Sequence, residues 1–207
     1  MADLARTLLD LIQGHHSWAV AVIGLTAFGE SFAFLGLLFP GTAILIAAGA
    51  LLKSGGLPYL PILIGAIIGA VLGDWVSYWL GRRFGAGIAR LWPFRHNPGL
   101  LASGIAFFER HGGKSVFIGR FFGPVRAVIP LAAGLMRLSP LRFWVANIGS
   151  ALVWAPMLLL AGDLVGEAGG RLIGAANTFL LVLGVVVLFG IGAVALAALR
   201  YRRSKTR

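Results

Sequence analysis

The segment Gly119-Arg120-Phe121-Phe122-Gly123-Pro124-Val125-Arg126 decides the fold class. It places two arginines and a Gly-Pro helix break inside the apolar run 115–136. A charge at bilayer depth costs about 2.5–3.5 kcal/mol on translocon scales. A break at the same depth frees backbone groups, which need protein or water partners. The segment is therefore expected to face a polar cavity inside a membrane protein and not lipid.

A second segment has the same two features. Glu30 lies in the apolar run 18–52, which is broken at Pro40-Gly41. A full membrane span needs about 20 residues, and the arm 42–52 is too short. Residues 115–136 are likewise too few for two spans. Each segment therefore predicts a re-entrant hairpin, and the two together predict a transport site.

The composition agrees with a membrane protein. Of the 207 residues 58% are apolar and only 12% are charged, whereas about a quarter are charged in soluble domains. The absence of cysteine excludes disulfides and thiol chemistry. The net charge of +11 does not indicate nucleic acid as a partner, because the positive residues flank apolar spans, as the positive-inside rule requires.

These patterns predict an all-α membrane protein in which residues 18–165 form the main domain. The other predicted segments are an amphipathic N-terminal segment without a cleavable signal pattern at 1–17, full spans at 58–80, 141–162 and 173–199, and a basic tail at 200–207. The loop 82–114 and the tail are rich in arginine and lysine, which predicts both on the cytoplasmic side. The loop 163–172 has no positive excess and is expected outside.

With this topology the two hairpins enter from opposite faces of the membrane. The two halves also share a proline, a later Ala-Ala-Gly and a span that ends in Gly-x-x-x-Gly. These are Pro40, Ala47-Ala48-Gly49 and Gly81 to Gly85 in one half, and Pro130, Ala132-Ala133-Gly134 and Gly162 to Gly166 in the other. Opposite insertion of similar halves predicts an inverted repeat, with its site near the midplane.

Four charged residues are the candidates for binding or transport. Arg120 and Arg126 are six positions apart, which would place them on different faces of a continuous helix. The Gly123-Pro124 break removes that constraint, and the planar guanidinium fork matches phosphate or carboxylate oxygens. Glu30 and Asp74 are candidates to exchange protons or to neutralise the arginines. The two roles are compatible, since acids can hold the arginines while the transporter is empty.

The remaining candidates are Asn147 and Trp154, which are expected to line the cavity wall opposite the second hairpin. The sequence contains no nucleotide-binding loop, zinc-ligand spacing or nucleophile elbow. We therefore expect no metal, no cofactor and no enzymatic activity.

The motifs resemble the DedA family of membrane proteins, which shares a domain with eukaryotic lipid scramblases of autophagy. The segment 119–126 with Pro130 and Ala133-Gly134 is similar to the family's arginine motif. Glu30 with Pro40-Gly41 resembles the motif of its first hairpin. Similar residues occur after each hairpin: Gly73-Asp74, Tyr78, Gly81, Arg82 and Gly85, and then Asn147, Gly149 and Trp154. The chain departs from many members at Thr42, where they carry an acid.

The resemblance implies opposed re-entrant hairpins, the bacterial inner membrane and a role in envelope maintenance. It also implies movement of a lipid phosphate, either a polyprenyl-phosphate carrier lipid or a phospholipid, by a flippase that uses the proton motive force. Two alternatives remain open from the sequence. One is a small-ion or proton antiporter that uses Glu30 and Asp74. The other is a non-transporting envelope or division factor that binds partners through the loop 82–114.

Overall fold

The computed structural model describes residues 16–36, 41–54, 58–91, 93–122 and 126–173. Several predicted features lie outside these residues: positions 1–15 of the N-terminal segment, Pro40, Gly123, Pro124, the span 173–199 beyond its first residue, and the tail 200–207. Within the described ranges all regular structure is helical, which confirms the predicted all-α class.

Seven α-helices follow one another along the described chain, with two short 3₁₀ segments at Gly85–Arg90 and Gly112–Lys114. The helices are α1 His16–Ser31, α2 Gly41–Ser54, α3 Tyr59–Phe84, α4 Pro98–His111, α5 Ser115–Gly119, α6 Ile129–Leu135 and α7 Pro140–Ile173.

Within the described part of the chain, two stretches are long and apolar enough to cross a membrane, Tyr59–Arg90 and Pro140–Ala168. Each carries a row of exposed large apolar side chains, such as Ile64 and Ile68 on α3, and Val145 and Leu152 on α7. Such a surface is costly in water and suits lipid.

The helix α7 is longer than the sequence indicated. The loop expected at 163–172 is helical, and α7 continues to Ile173. The glycines at this end, Gly162 and Gly166, lie against the backbone of α2. They therefore serve close packing between helices and do not end the helix.

Both predicted hairpin segments contain a helix, a break and a second helix. In the first, α1 ends at Ser31, a turn occupies 33–36 and α2 begins at Gly41. The 14 residues of α2 span about 21 Å, less than the bilayer core of about 30 Å. In the second segment α5 has 5 residues and α6 has 7, so neither helix is long enough to cross.

The helix α3 lies at the centre of the molecule and packs against α1, α6 and α7. Its contact with α1 is very close, because a Cβ atom at Gly69 would overlap the carbonyl oxygen of Gly24. Farther along α3, the ring of Tyr78 stacks on that of Phe143 with 4.1 Å between their centroids. These contacts fix the position of the middle of α3, where Asp74 lies.

Two pairs of glycines make the same contact in two places. A Cβ atom on Gly49 would overlap the carbonyl oxygen of Leu159, and one on Gly162 would overlap that of Ile46. Gly134 and Gly81 meet in the same way, since their Cβ atoms would overlap the carbonyl oxygens of Tyr78 and Leu131. In all four cases the obstructing residue lies three positions before the partner glycine. The Ala-Ala-Gly motif of each half thus packs against the Gly-x-x-x-Gly of the other half.

Candidate functional site

The first ion pair of the site joins α3 to the segment after α5. Arg120 directly follows α5, and its Nη2 atom donates a hydrogen bond to Oδ2 of Asp74. The same Nη2 donates to Oδ1 of Asn147 on α7, at 2.6 Å. Asn147 is itself fixed, because its Nδ2 donates to the carbonyl oxygen of Val71 at 3.0 Å. The guanidinium of Arg120 therefore connects α3 and α7.

The second ion pair joins the two halves of the chain. Arg126, just before α6, donates from Nη1 to Oε1 of Glu30 at 2.7 Å. The Thr42 hydroxyl donates to the same oxygen, and the Thr42 backbone N–H also contacts this carboxylate. Thr42 lies in the first turn of α2, where the helix dipole favours a negative charge. Gly41 lies against the Glu30 carboxyl group, which occupies the space that a Cβ atom would need.

The ring of Trp154 on α7 brings the two ion pairs together. The Cζ atom of Arg126 lies 4.9 Å from the ring centroid, and that of Arg120 lies 5.8 Å from it. Both distances fall within the range of about 6 Å in which a cation is attracted to an aromatic face. Trp154 is buried, with 2% of its surface exposed, so the ring that both guanidinium groups contact is shielded from solvent.

Three of the four charged side chains of the site are buried and that of Arg126 is partly buried, and the four charges cancel one another. The exposed fractions are 3% for the Arg120 side chain, 8% for Asp74, 13% for Arg126 and 5% for Glu30. Burying a charge is costly unless it is paired and hydrogen-bonded. The arrangement is therefore stable as a neutral set, and the loss of one member leaves its partner charged and unpaired.

The hydrogen-bonding capacity of the site is only partly used. Among the described residues, the Arg120 atoms Nε and Nη1 and the Glu30 atom Oε2 have no hydrogen-bond partner. Buried polar atoms are nearly always hydrogen-bonded, so unused ones call for an explanation. The site can thus offer two donor nitrogens of Arg120 to an oxygen-rich anion without first breaking the Arg120–Asp74 bond.

The structure brings together six residues predicted from the sequence: Glu30, Asp74, Arg120, Arg126, Asn147 and Trp154. Gly41 lies beside them, whereas Pro40, Gly123 and Pro124 lie outside the described residues. Sequence reasoning missed Thr42 as a partner of Glu30. Its position directly after Pro40-Gly41 was the available signal, because a hydroxyl at a helix N-terminus often contacts nearby polar groups.

These features define a class of protein: an α-helical membrane protein with a buried cluster of charges between its helices. Comparison with known proteins identifies the family. The VTT domain matches residues 39–164, a range that holds Asp74, both arginines and Trp154. The chain belongs to the VTT-domain, or DedA, family of membrane proteins.

Several relatives support the assignment. The chain is 38% identical to the inner membrane protein YabI of Escherichia coli K12 over 152 residues, which cover 73% of this chain and 59% of YabI. It is 30% identical to an uncharacterized membrane protein of Buchnera aphidicola over 188 residues, 89% of this chain and 75% of the relative. Protein DedA of E. coli K12 is 29% identical over 207 residues, which cover 97% of this chain and 91% of DedA. No solved structure matches the chain.

Proposed function

We propose that this protein is a flippase that carries a lipid phosphate across the bacterial inner membrane, driven by proton movement. The substrate is a polyprenyl-phosphate carrier lipid or a phospholipid, and the site is the cluster of Glu30, Asp74, Arg120 and Arg126. The observation that carries the proposal is the contact of two guanidinium groups with one buried tryptophan ring, where two donor nitrogens of Arg120 have no hydrogen-bond partner among the described residues.

The charges suggest how the phosphate binds. In the empty protein each arginine is neutralised by one carboxylate, so the site has no net charge. An entering phosphate offers several acceptor oxygens, which match the planar fork of arginine. It contacts the unused donors of Arg120 first and then competes with Glu30 for Arg126.

Protons provide the coupling in this proposal. A carboxylate that gives up its arginine to the phosphate is left buried and unpaired, which is unfavourable while it is charged. Protonation of Glu30 or Asp74 removes that charge and favours the phosphate-bound state. Loss of the proton on the other side of the membrane restores the ion pairs and releases the phosphate.

The fold supports the opposed hairpins and the inverted repeat on which this scheme rests. The described helices of the second hairpin are too short to cross. The glycine pairs Gly49–Gly162 and Gly81–Gly134 make the same contacts with the same spacing, as two related halves would. Asp74 lies ten residues before the end of α3 at Phe84, about 15 Å along the axis, which is near the middle of a bilayer core of about 30 Å. The proposed protein is multi-pass with a cytoplasmic C-terminus.

A binding experiment tests the role of the arginines. Purified protein is titrated with a labelled polyprenyl phosphate and, separately, with the uncharged polyprenol. We expect the protein to bind the polyprenyl phosphate and not the uncharged polyprenol. Arg120→Lys and Arg126→Lys should each weaken it at least about tenfold, because lysine keeps the charge but loses hydrogen bonds to a charged group.

The matched control is Arg110→Lys at an exposed position of α4, which should bind like the wild type. All variants are compared as monodisperse protein, so that loss of fold is not mistaken for loss of binding. Near wild-type phosphate binding by both lysine variants would contradict the phosphate clamp and favour an ion antiporter that uses Glu30 and Asp74.

A further inference from the structure

A second feature of the molecule is a groove beside the N-terminal end of α7, which precedes Trp154 on the same helix. It has a volume of about 610 Å³ and lies between α5, with the 3₁₀ segment before it, and the first turns of α7. Its volume falls in the range of about 300–1,000 Å³ that is common for ligand sites. The lining residues that matter here are Lys114, Phe117, Ile118, Leu141, Arg142 and Val145.

The groove combines an apolar wall with two cations. Phe117, Leu141 and Val145 are exposed large apolar side chains. Lys114 and Arg142 are exposed as well, and no carboxylate among the described residues pairs with either. Lys114 directly precedes α5, and Arg142 lies in the first turn of α7. Both cations therefore lie at the end of the membrane-spanning stretch Pro140–Ala168, while the apolar wall continues along it.

We propose that this groove is a docking site for an anionic phospholipid of the leaflet that we assign to the cytoplasmic side. Its phosphate lies at Lys114 and Arg142, and one acyl chain lies along Phe117 and Val145. An ordinary lipid-facing surface is apolar, so it does not discriminate between lipids with different head groups. Two cations that pair with no carboxylate of the described part of the chain, at the membrane surface beside an apolar groove, select for negative charge.

The docked lipid would contact the same two elements that hold Arg120. Ile118 precedes Arg120 by two residues, and Val145 precedes Asn147 by two residues. Asn147 accepts a hydrogen bond from Arg120. The groove thus adjoins the charged site through α5 and α7, but lipid binding in it requires neither arginine of that site.

Native mass spectrometry of the full chain tests the proposal, with phosphatidylglycerol and phosphatidylcholine of identical acyl chains as probes. We expect the wild type to retain phosphatidylglycerol preferentially. Lys114→Gln combined with Arg142→Gln should weaken its binding roughly 25-fold, because each basic residue at a membrane surface contributes about fivefold. Val145→Trp, which fills the groove, should weaken binding of both lipids.

The control is Arg83→Gln combined with Arg95→Gln, which removes two charges at exposed positions outside the groove. It should bind phosphatidylglycerol like the wild type. Equal binding of the two lipids by the wild type, or equal losses in the groove and control variants, would overturn the proposal and leave only bulk lipid contact. Arg126→Lys should leave groove binding unchanged, so failure of this proposal is distinguishable from failure of the proposed transport function.

Discussion

The Glu30 carboxylate shows how tightly the residues of the site depend on one another. It accepts hydrogen bonds from Arg126 and from the Thr42 hydroxyl, and it lies against Gly41. The side chains of Glu30 and Arg126 are only 5% and 13% exposed. Removing one partner of such a pair leaves a buried charge alone, whereas removing both leaves none.

This dependence can be measured with a double-mutant cycle. We expect Glu30→Gln and Arg126→Gln each to lower the free energy of unfolding by about 3 kcal/mol or more, because each leaves the other residue charged and unpaired. The combined variant should be more stable than the sum of the two losses predicts. In detergent it should unfold at a higher temperature than either single variant. Strictly additive losses would show that the two side chains do not interact.

A second prediction concerns proton coupling through the acids. Glu30→Gln and Asp74→Asn keep the side-chain shape but cannot take up and release a proton. Each should abolish the dependence of lipid-phosphate transport on a pH gradient while folded protein remains in the membrane. Glu109→Gln, at an exposed position of α4, is the control and should keep that dependence. Unchanged pH dependence in both site variants would remove proton coupling through these groups.

The sequence predicted four charged candidates for binding, and the structure brings them together in pairs that the sequence did not specify. Glu30, Asp74, Arg120 and Arg126 could be identified because a charge in an apolar segment needs a reason. The pairing of Arg120 with Asp74 and of Arg126 with Glu30 depends on how separate helices pack, across 46 and 96 positions of sequence. No local pattern encodes such a choice, whereas for Thr42 the position directly after Pro40-Gly41 was a local signal.

Among the helices, the reciprocal glycine contacts decide how the two halves fit together. Gly49→Ala and Gly134→Ala should each destabilise the protein by about 1–3 kcal/mol, the usual cost of overpacking. In each variant the new methyl group meets a backbone carbonyl that cannot move without the helix. Gly87→Ala is the control, since a Cβ atom there would contact nothing within 4 Å. Thermal unfolding of the three variants in detergent gives the comparison.

Similar losses at positions 49 and 134, with none at 87, would support equivalent roles for the two motifs. If the variants at positions 49 and 134 unfolded at the same temperature as the wild type, the close packing of these glycines would be contradicted. The sequence contained both motifs, and it predicted a helix over most of α3, whereas the predicted break residues Pro40, Gly123 and Pro124 lie outside the described residues. It did not predict that α7 continues to Ile173, because Gly162 and Gly166 look like helix-ending residues until their contact with α2 is known.

For the whole molecule, the charge distribution predicts which ends of the helices face each side of the membrane. The chain contains no cysteine, so single cysteines can be introduced and labelled on intact cells with an impermeant thiol reagent. We expect labelling of Lys53→Cys and Glu167→Cys but not of Arg110→Cys. Protection of position 53 together with labelling at 167 would mean that the first hairpin segment crosses the membrane, and the inverted repeat would then be wrong.

The most direct test of the account is movement of a lipid phosphate by the purified protein. The protein is placed in vesicles that contain a labelled polyprenyl phosphate. The rate at which the labelled lipid moves from one leaflet to the other is measured with and without an imposed pH gradient. We expect transfer that is faster than in protein-free vesicles, that responds to the gradient and that is lost when Arg120→Lys and Arg126→Lys are combined. Transfer no faster than in protein-free vesicles, or equally fast in the combined lysine variant, would contradict the proposed function.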